Sequence, residues 1–134
     1  MIYTGYYSNK SKYESKGFFT IGISSYLPNY IDEDTPLYRK IAPNKQMVDI
    51  LHAGDRERFI DMFSSKLNKL DVNNTINELY SLSEGQDIIL LCFESPNKFC
   101  HRHLVSEWLT CNGEPVSELI IHKKGDMEQC EIVL

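Results

Sequence analysis

Two kinds of apolar spacing alternate along the chain, short β-type runs and longer stretches at helical intervals. Ile88-Ile89-Leu90-Leu91-Cys92-Phe93 has no polar alternation, which is what a central strand covered on both faces shows. Ile2 to Tyr7 and Phe18 to Ile23 are rich in aromatic and β-branched residues and suit half-buried strands, with Ser8 to Lys12 as a polar loop between them. From Ser24 to Pro43, three prolines (Pro28, Pro36, Pro43) and the acidic Asp32-Glu33-Asp34 exclude a long helix and predict an ordered, solvated loop over the sheet. Lys45 to Leu51 predicts a short helix ending near Gly54. Asp55 is the expected N-cap of a longer one carrying Phe59, Met62, Phe63, Leu67 and Leu70 at helical spacing. Thr75-Ile76-Asn77-Glu78 has the form of a capping box opening a short helix, closed by Gly85.

After the apolar strand, Leu104, Val105, Trp108 and Leu109 share a helical face, and Asn112-Gly113 supplies a left-handed exit. Val116 to Ile121 follows as a strand, and 129–134 is a candidate edge strand. A strand-helix-strand unit of this size implies a right-handed parallel crossover. The expected fold is α/β, a three-layer Rossmann-like sandwich with a mostly parallel central sheet, and residues 1–134 form a single domain.

Composition narrows the function. Lys and Arg number 14 against 19 Asp and Glu, so the chain lacks the basic face that captures nucleic acid broadly. The N-terminus has no signal-peptide pattern, and no apolar run approaches the ~20 residues that cross a bilayer. The expected address is the cytoplasm, where the four cysteines remain thiols and no disulfide is expected.

The chemistry concentrates at residues 92–103. A parallel strand would deliver Cys92 and Phe93 to the sheet edge where ligands gather. The loop from Glu94 to Phe99 is short enough to return the chain there, and the next helix opens with His101, Arg102 and His103. Basic residues in a first turn oppose the helix dipole, and such local conflicts mark functional sites. Open N–H groups and an Arg fork make the turn an expected anion site, and the same positive field favours the thiolate of a nearby cysteine. Cys92, Cys100 and His101 are therefore the candidate nucleophile and proton carrier. Arg102, Glu94, Tyr3 and Tyr6 are the candidate ligand contacts. The competing structural reading makes Cys92 a small core residue and the tyrosines ordinary strand packing.

Leu90-Leu91-Cys92-Phe93-Glu94, Pro96 and Phe99-Cys100-His101-Arg102-His103-Leu104-Val105, with Trp108-Leu109, resemble the hallmark of the domain-of-unknown-function family 488, small proteins of bacteria and their phages. The Ile2-Tyr3-Thr4 opening, Ile21-Gly22-Ile23-Ser24 with Pro28, Ile41-Ala42-Pro43 and Leu67 to Asp71 add weaker matches across most of the chain. The resemblance implies an α/β fold and a site at Cys92, Cys100, His101 and Arg102, without an established reaction.

Three functions compete at this point. One is an enzyme acting on a small anionic molecule, a nucleotide or phosphorylated sugar, with Arg102 holding the anion and no cofactor required. Another is a binding module that captures a nucleotide or a partner through the same pocket without catalysis. The third uses Cys92, Cys100, His101 and His103 as zinc ligands; it ranks below the other two because adjacent Cys100 and His101 seldom both reach one tetrahedral ion, so no metal is expected, and zinc binding by the cluster is left open. A Cys-loop-Arg phosphatase spacing does not match, since Arg102 stands ten positions after Cys92. Phosphate-loop, nucleophile-elbow and dinucleotide glycine motifs are absent, as is the zinc-deaminase signature. The oligomeric state is left open.

Overall fold

In the computed structural model, which describes residues 1–93, 99–124 and 127–133 and gives those from 122 onward by backbone, five strands form one sheet in the order β2-β3-β1-β4-β5. They are β1 (Ile2–Tyr6), β2 (Phe19–Gly22), β3 (Ile88–Cys92), β4 (Val116–Lys124) and β5 (Met127–Val133). The first four run parallel, and β5 pairs antiparallel with β4 as an edge. Five helices accompany them: α1 (Lys10–Ser15), α2 (Lys45–His52), α3 (Arg56–Asn68), α4 (Val72–Ser83) and α5 (His101–Cys111).

β3 is buried along its whole length, as its unbroken apolar run requires. Ile88 and Leu90 face a core shared with Phe59, Phe63, Leu67, Leu79, Val105 and Leu109 of α3, α4 and α5. Ile89 and Leu91 face Tyr3, Tyr7, Tyr13 and Leu119 on the other side, with Leu27 and Ile31 packed over them. This is the expected α/β three-layer sandwich with a mostly parallel sheet, unevenly built. α2 to α5 cover one face, while α1 and the segment after β2 cover the other.

Two local expectations are corrected. The loop expected at Ser8 to Lys12 is instead a short 3₁₀ turn leading into α1, because Tyr13 is fully buried and a Lys10–Glu14 pair supports the turn. The capping box at Thr75 lies one turn inside α4. Asp71 is the N-cap, its side chain accepting from the Asn74 N–H at 3.0 Å, and the Thr75 hydroxyl donates to the Asp71 carbonyl. Asp caps at least as well as Thr, and the earlier start brings Val72 to the core edge. Asn44 and Asp55 cap α2 and α3 in the same way.

The proline-rich segment contains no long helix, as expected. Its Leu37 bridges β2 at Gly22, with Gly22 N–H donating to the Pro36 carbonyl and Tyr38 N–H to the Gly22 carbonyl, both at 2.8 Å. These bonds occupy what would otherwise be an open sheet edge. Lys66 of α3 donates to the Ala42 and Arg39 carbonyls, tying the end of the segment to the helical layer.

β1 carries a glycine for a steric reason. A Cβ at Gly5 would stand 2.5 Å from the Tyr13 hydroxyl oxygen, and Tyr13 also accepts the Tyr6 N–H at 3.3 Å. Gly5→Ala is expected to cost about 1–3 kcal/mol through overpacking. The urea midpoint measures it, and an unchanged midpoint would mean that Tyr13 moves aside freely.

Candidate functional site

Side-chain parity on β3 carries Cys92, in step with Ile88 and Leu90, toward the helical layer, while Phe93 turns to the opposite side against Tyr7 and Tyr26. The chain then returns so that Cys100 stands at the N-cap of α5 and His101 opens the helix. Cys92, Cys100 and His101 meet as a buried cluster at the carboxyl edge of β3.

The imidazole is oriented from both ends. Its Nε2–H donates to the Ile23 carbonyl at the end of β2. That bond assigns the ring proton to Nε2, so the Nδ1 lone pair is directed at the sulfurs, 3.3 Å from Cys92 Sγ and 3.8 Å from Cys100 Sγ. Phe63 packs edge-on against the ring. Burial pushes the His101 pKa down to about 4 against the opposing pull of the Ile23 carbonyl, with the Arg102 charge adding to the depression. The ring is therefore neutral at physiological pH.

The Cys92 and Cys100 sulfurs face each other within the cluster, close enough to be joined on oxidation, where the sequence predicts thiols alone. The tertiary reason is the return of the chain into α5, which brings residues eight apart to one point. Cys111 is a free, exposed thiol.

A cleft of about 840 Å³ opens beside the cluster. Its floor is Cys92, Cys100 and His101. Phe59, Arg56 and His52 of α2 and α3 form one wall, and Ser24, Tyr26 and Pro43 form the other. That second wall is held by the Ser24 hydroxyl, which donates to the Tyr26 carbonyl and accepts from the Tyr7 hydroxyl at 2.6 Å. The Arg56 guanidinium lies over the Phe99 ring, 4.6 Å from its centroid.

Of the other expected contacts, Arg102, Tyr3 and Tyr6 are not brought to this cleft. Arg102 is fully buried, and its Nε–H donates to both Glu118 carboxylate oxygens at 2.9 and 3.1 Å. Thr4 donates to the same carboxylate at 2.9 Å. The reason is helical phase: Arg102, Val105 and Leu109 stand at i, i+3 and i+7, all inward. Tyr3 packs on the opposite sheet face against Phe18. Tyr6 pairs in register with Cys92 but does not line the cleft. Glu94 lies outside the described residues. Arg56 was missed, although the same dipole argument applied to α5 would have found it: Arg56 and Arg58 stand in the first turn of α3, where basic side chains are disfavoured.

A mostly parallel sheet layered by helices, with a buried cysteine-histidine cluster beside a cleft at its carboxyl edge, defines the chain as an α/β protein. The family described as the active DUF488-N3 subclade (DUF488-N3a) matches residues 4–113, and the chain belongs to that family. No curated protein matches the chain, and no solved structure does. The matched span contains every residue of the cluster and of the cleft walls. Among the described residues, no helix is long and apolar enough to cross a membrane.

Proposed function

We propose that the protein is an enzyme acting on a small anionic molecule, a nucleotide or another phosphorylated compound, with Cys92 and His101 as its reacting pair. The observation that carries this reading is the His101 Nδ1 lone pair 3.3 Å from Cys92 Sγ, on the floor of a cleft. When the cysteines are reduced, the Nδ1 lone pair is placed to accept the thiol proton, the thiolate so formed opposing the burial that otherwise holds the ring neutral, and the N-terminus of α5 favours that thiolate. The anion contact passes from Arg102, which is engaged with Glu118, to Arg56 on the cleft wall. Tyr26 and Phe93, with centroids 5.4 Å apart, offer aromatic surface of the kind that stacks on a nucleobase.

The pairing of Cys92 with Cys100 favours the non-catalytic reading for the oxidised chain, which has no thiol at the cleft floor. Both readings share the cleft and differ in the thiol. Calorimetric titration with nucleoside mono-, di- and triphosphates is expected to show binding that weakens about 10- to 100-fold in Arg56→Ala, the loss of a charged hydrogen-bonded contact. Cys92→Ser is expected to retain binding and to lose turnover of the bound compound under reducing conditions. Binding that is indifferent to Arg56 would remove the anion reading, full turnover by Cys92→Ser would remove the thiol from the mechanism, and binding without turnover by the reduced native chain would leave the binding module in the enzyme's place.

A further inference from the structure

The cluster that serves as a proton-transfer pair also has the composition and convergence of a metal centre. We propose that the reduced chain binds one zinc-like divalent ion between Cys92 Sγ, Cys100 Sγ and His101 Nδ1, with a fourth coordination position open to the cleft. The inference shares the cleft with the proposed function but does not depend on anion binding or on turnover.

Four observations support it. The three ligand atoms lie within 4.8 Å of one another, so the objection that neighbouring Cys100 and His101 diverge does not hold here: the extended N-cap conformation of Cys100 turns its sulfur back toward the ring that follows it. The imidazole is also set up as a ligand. A metal-bound histidine usually donates its second ring N–H to a carbonyl or carboxylate, which fixes the tautomer and aims the other nitrogen at the ion. The Ile23 carbonyl does this for His101.

Backbone spacing is the third. The Cys92 and Cys100 Cα atoms are 7.3 Å apart, beyond the ~4.4–6.8 Å usual for a disulfide. Two thiolates at ~2.3 Å from a tetrahedral zinc stand ~3.8 Å from each other, and the wider backbone gives them that room. Charge is the fourth. Two thiolates and a neutral imidazole cancel the ion's charge, which suits a buried position where a net charge is costly, and both cysteines are 3% exposed. His103 is not part of the cluster among the described residues. Three protein ligands and an open side are the pattern of a catalytic zinc rather than a closed structural one.

Loading follows a balanced path. A phosphine reductant and one water open the disulfide to two thiols, giving the phosphine oxide. The ion then replaces the two thiol protons, which are released to solvent.

The test uses the full chain, reduced with a phosphine and titrated with cobalt(II), then with zinc. One cobalt per chain is expected, with a sulfur-to-metal charge-transfer band and the intense visible bands of a four-coordinate ion, all displaced by zinc. X-ray absorption of the zinc form is expected to show two sulfur ligands and one imidazole, a measurement that needs no variant. Cys100→Ser and His101→Ala are expected to lose the charge-transfer band, with circular dichroism checking their folding. Cys111→Ser, Cys130→Ser and His103→Ala are expected to keep it. Absence of bound metal while thiol titration shows both cysteines reduced would overturn the inference, as would a bound ion with any other ligand set. In either case anion binding at Arg56 would be unaffected. Loss of anion binding with an intact two-sulfur, one-imidazole centre would instead sink the proposed function alone.

Discussion

Glu118→Ala is expected to destabilise the protein by about 3–5 kcal/mol, the usual result of removing one partner from a buried ion pair. Arg102 is completely enclosed, and its Nε–H donates to both Glu118 oxygens at 2.9 and 3.1 Å. The carboxylate also accepts from Thr4, linking α5, β4 and β1 through one group. Its removal leaves the guanidinium charge buried without that counter-ion and the Thr4 hydroxyl without that acceptor. Replacing both members by apolar residues, Arg102→Met with Glu118→Leu, is expected to recover much of the loss, because neither charge is then left buried. Urea unfolding of the two proteins measures the pair. A loss below about 1 kcal/mol in Glu118→Ala would mean that water reaches the guanidinium and that the pair behaves as a surface bridge. The expectation also separates two roles for Arg102. A residue that holds the sheet to α5 changes stability when its partner is removed, whereas an anion clamp changes affinity.

Acidification of the oxidised, chelator-treated chain is expected to remove roughly 3 kcal/mol of stability between pH 6.5 and pH 4. The His101 pKa falls from 6.5 to about 4 on folding, chiefly through burial. Above pH 6.5 the ring is neutral in both states and the full stability is present. As pH falls through this window the unfolded chain takes up a proton that the folded chain refuses, so stability declines, and below pH 4 both states are protonated and the decline from this group ends. A shift of one unit corresponds to about 1.4 kcal/mol, which gives the magnitude. Unfolding free energies across the window measure it, with His101→Phe as the comparison, expected to flatten the profile there. An equal slope in the variant would place the acid sensitivity elsewhere. The oxidised form is specified because a thiolate at Cys92 would attract the proton to Nδ1 and oppose the depression.

Most of the sheet was legible because burial leaves a simple trace. β3 is enclosed on both faces, and an enclosed strand needs an unbroken apolar run. The helices with strong spacing, α3 and α5, were equally visible, since Phe59, Phe63 and Leu67, or Val105 and Leu109, share one buried stripe. α1 was not, because a six-residue helix has too few turns to display a period and is held by the single buried Tyr13. The start of α4 was misplaced for a related reason: Asp71 and Thr75 are both competent caps, and packing of the added turn against the core decides between them.

The candidate site divides along the same line. The sequence by itself determined that Cys92 ends a buried strand and that Cys100 and His101 open a helix, because strand burial and helix phase are local properties. Only the tertiary structure decided what those groups meet. It turned Arg102 inward to Glu118 and away from the cleft, since its place on the stripe with Val105 and Leu109 outweighs its charge once a buried carboxylate is supplied by β4. It also supplied the Ile23 carbonyl that orients His101, the second sulfur beside Cys92, and the Arg56 wall from a helix distant in sequence. Each of these is a contact between separate elements, and no local pattern encodes which elements will be neighbours in the sheet order β2-β3-β1-β4-β5.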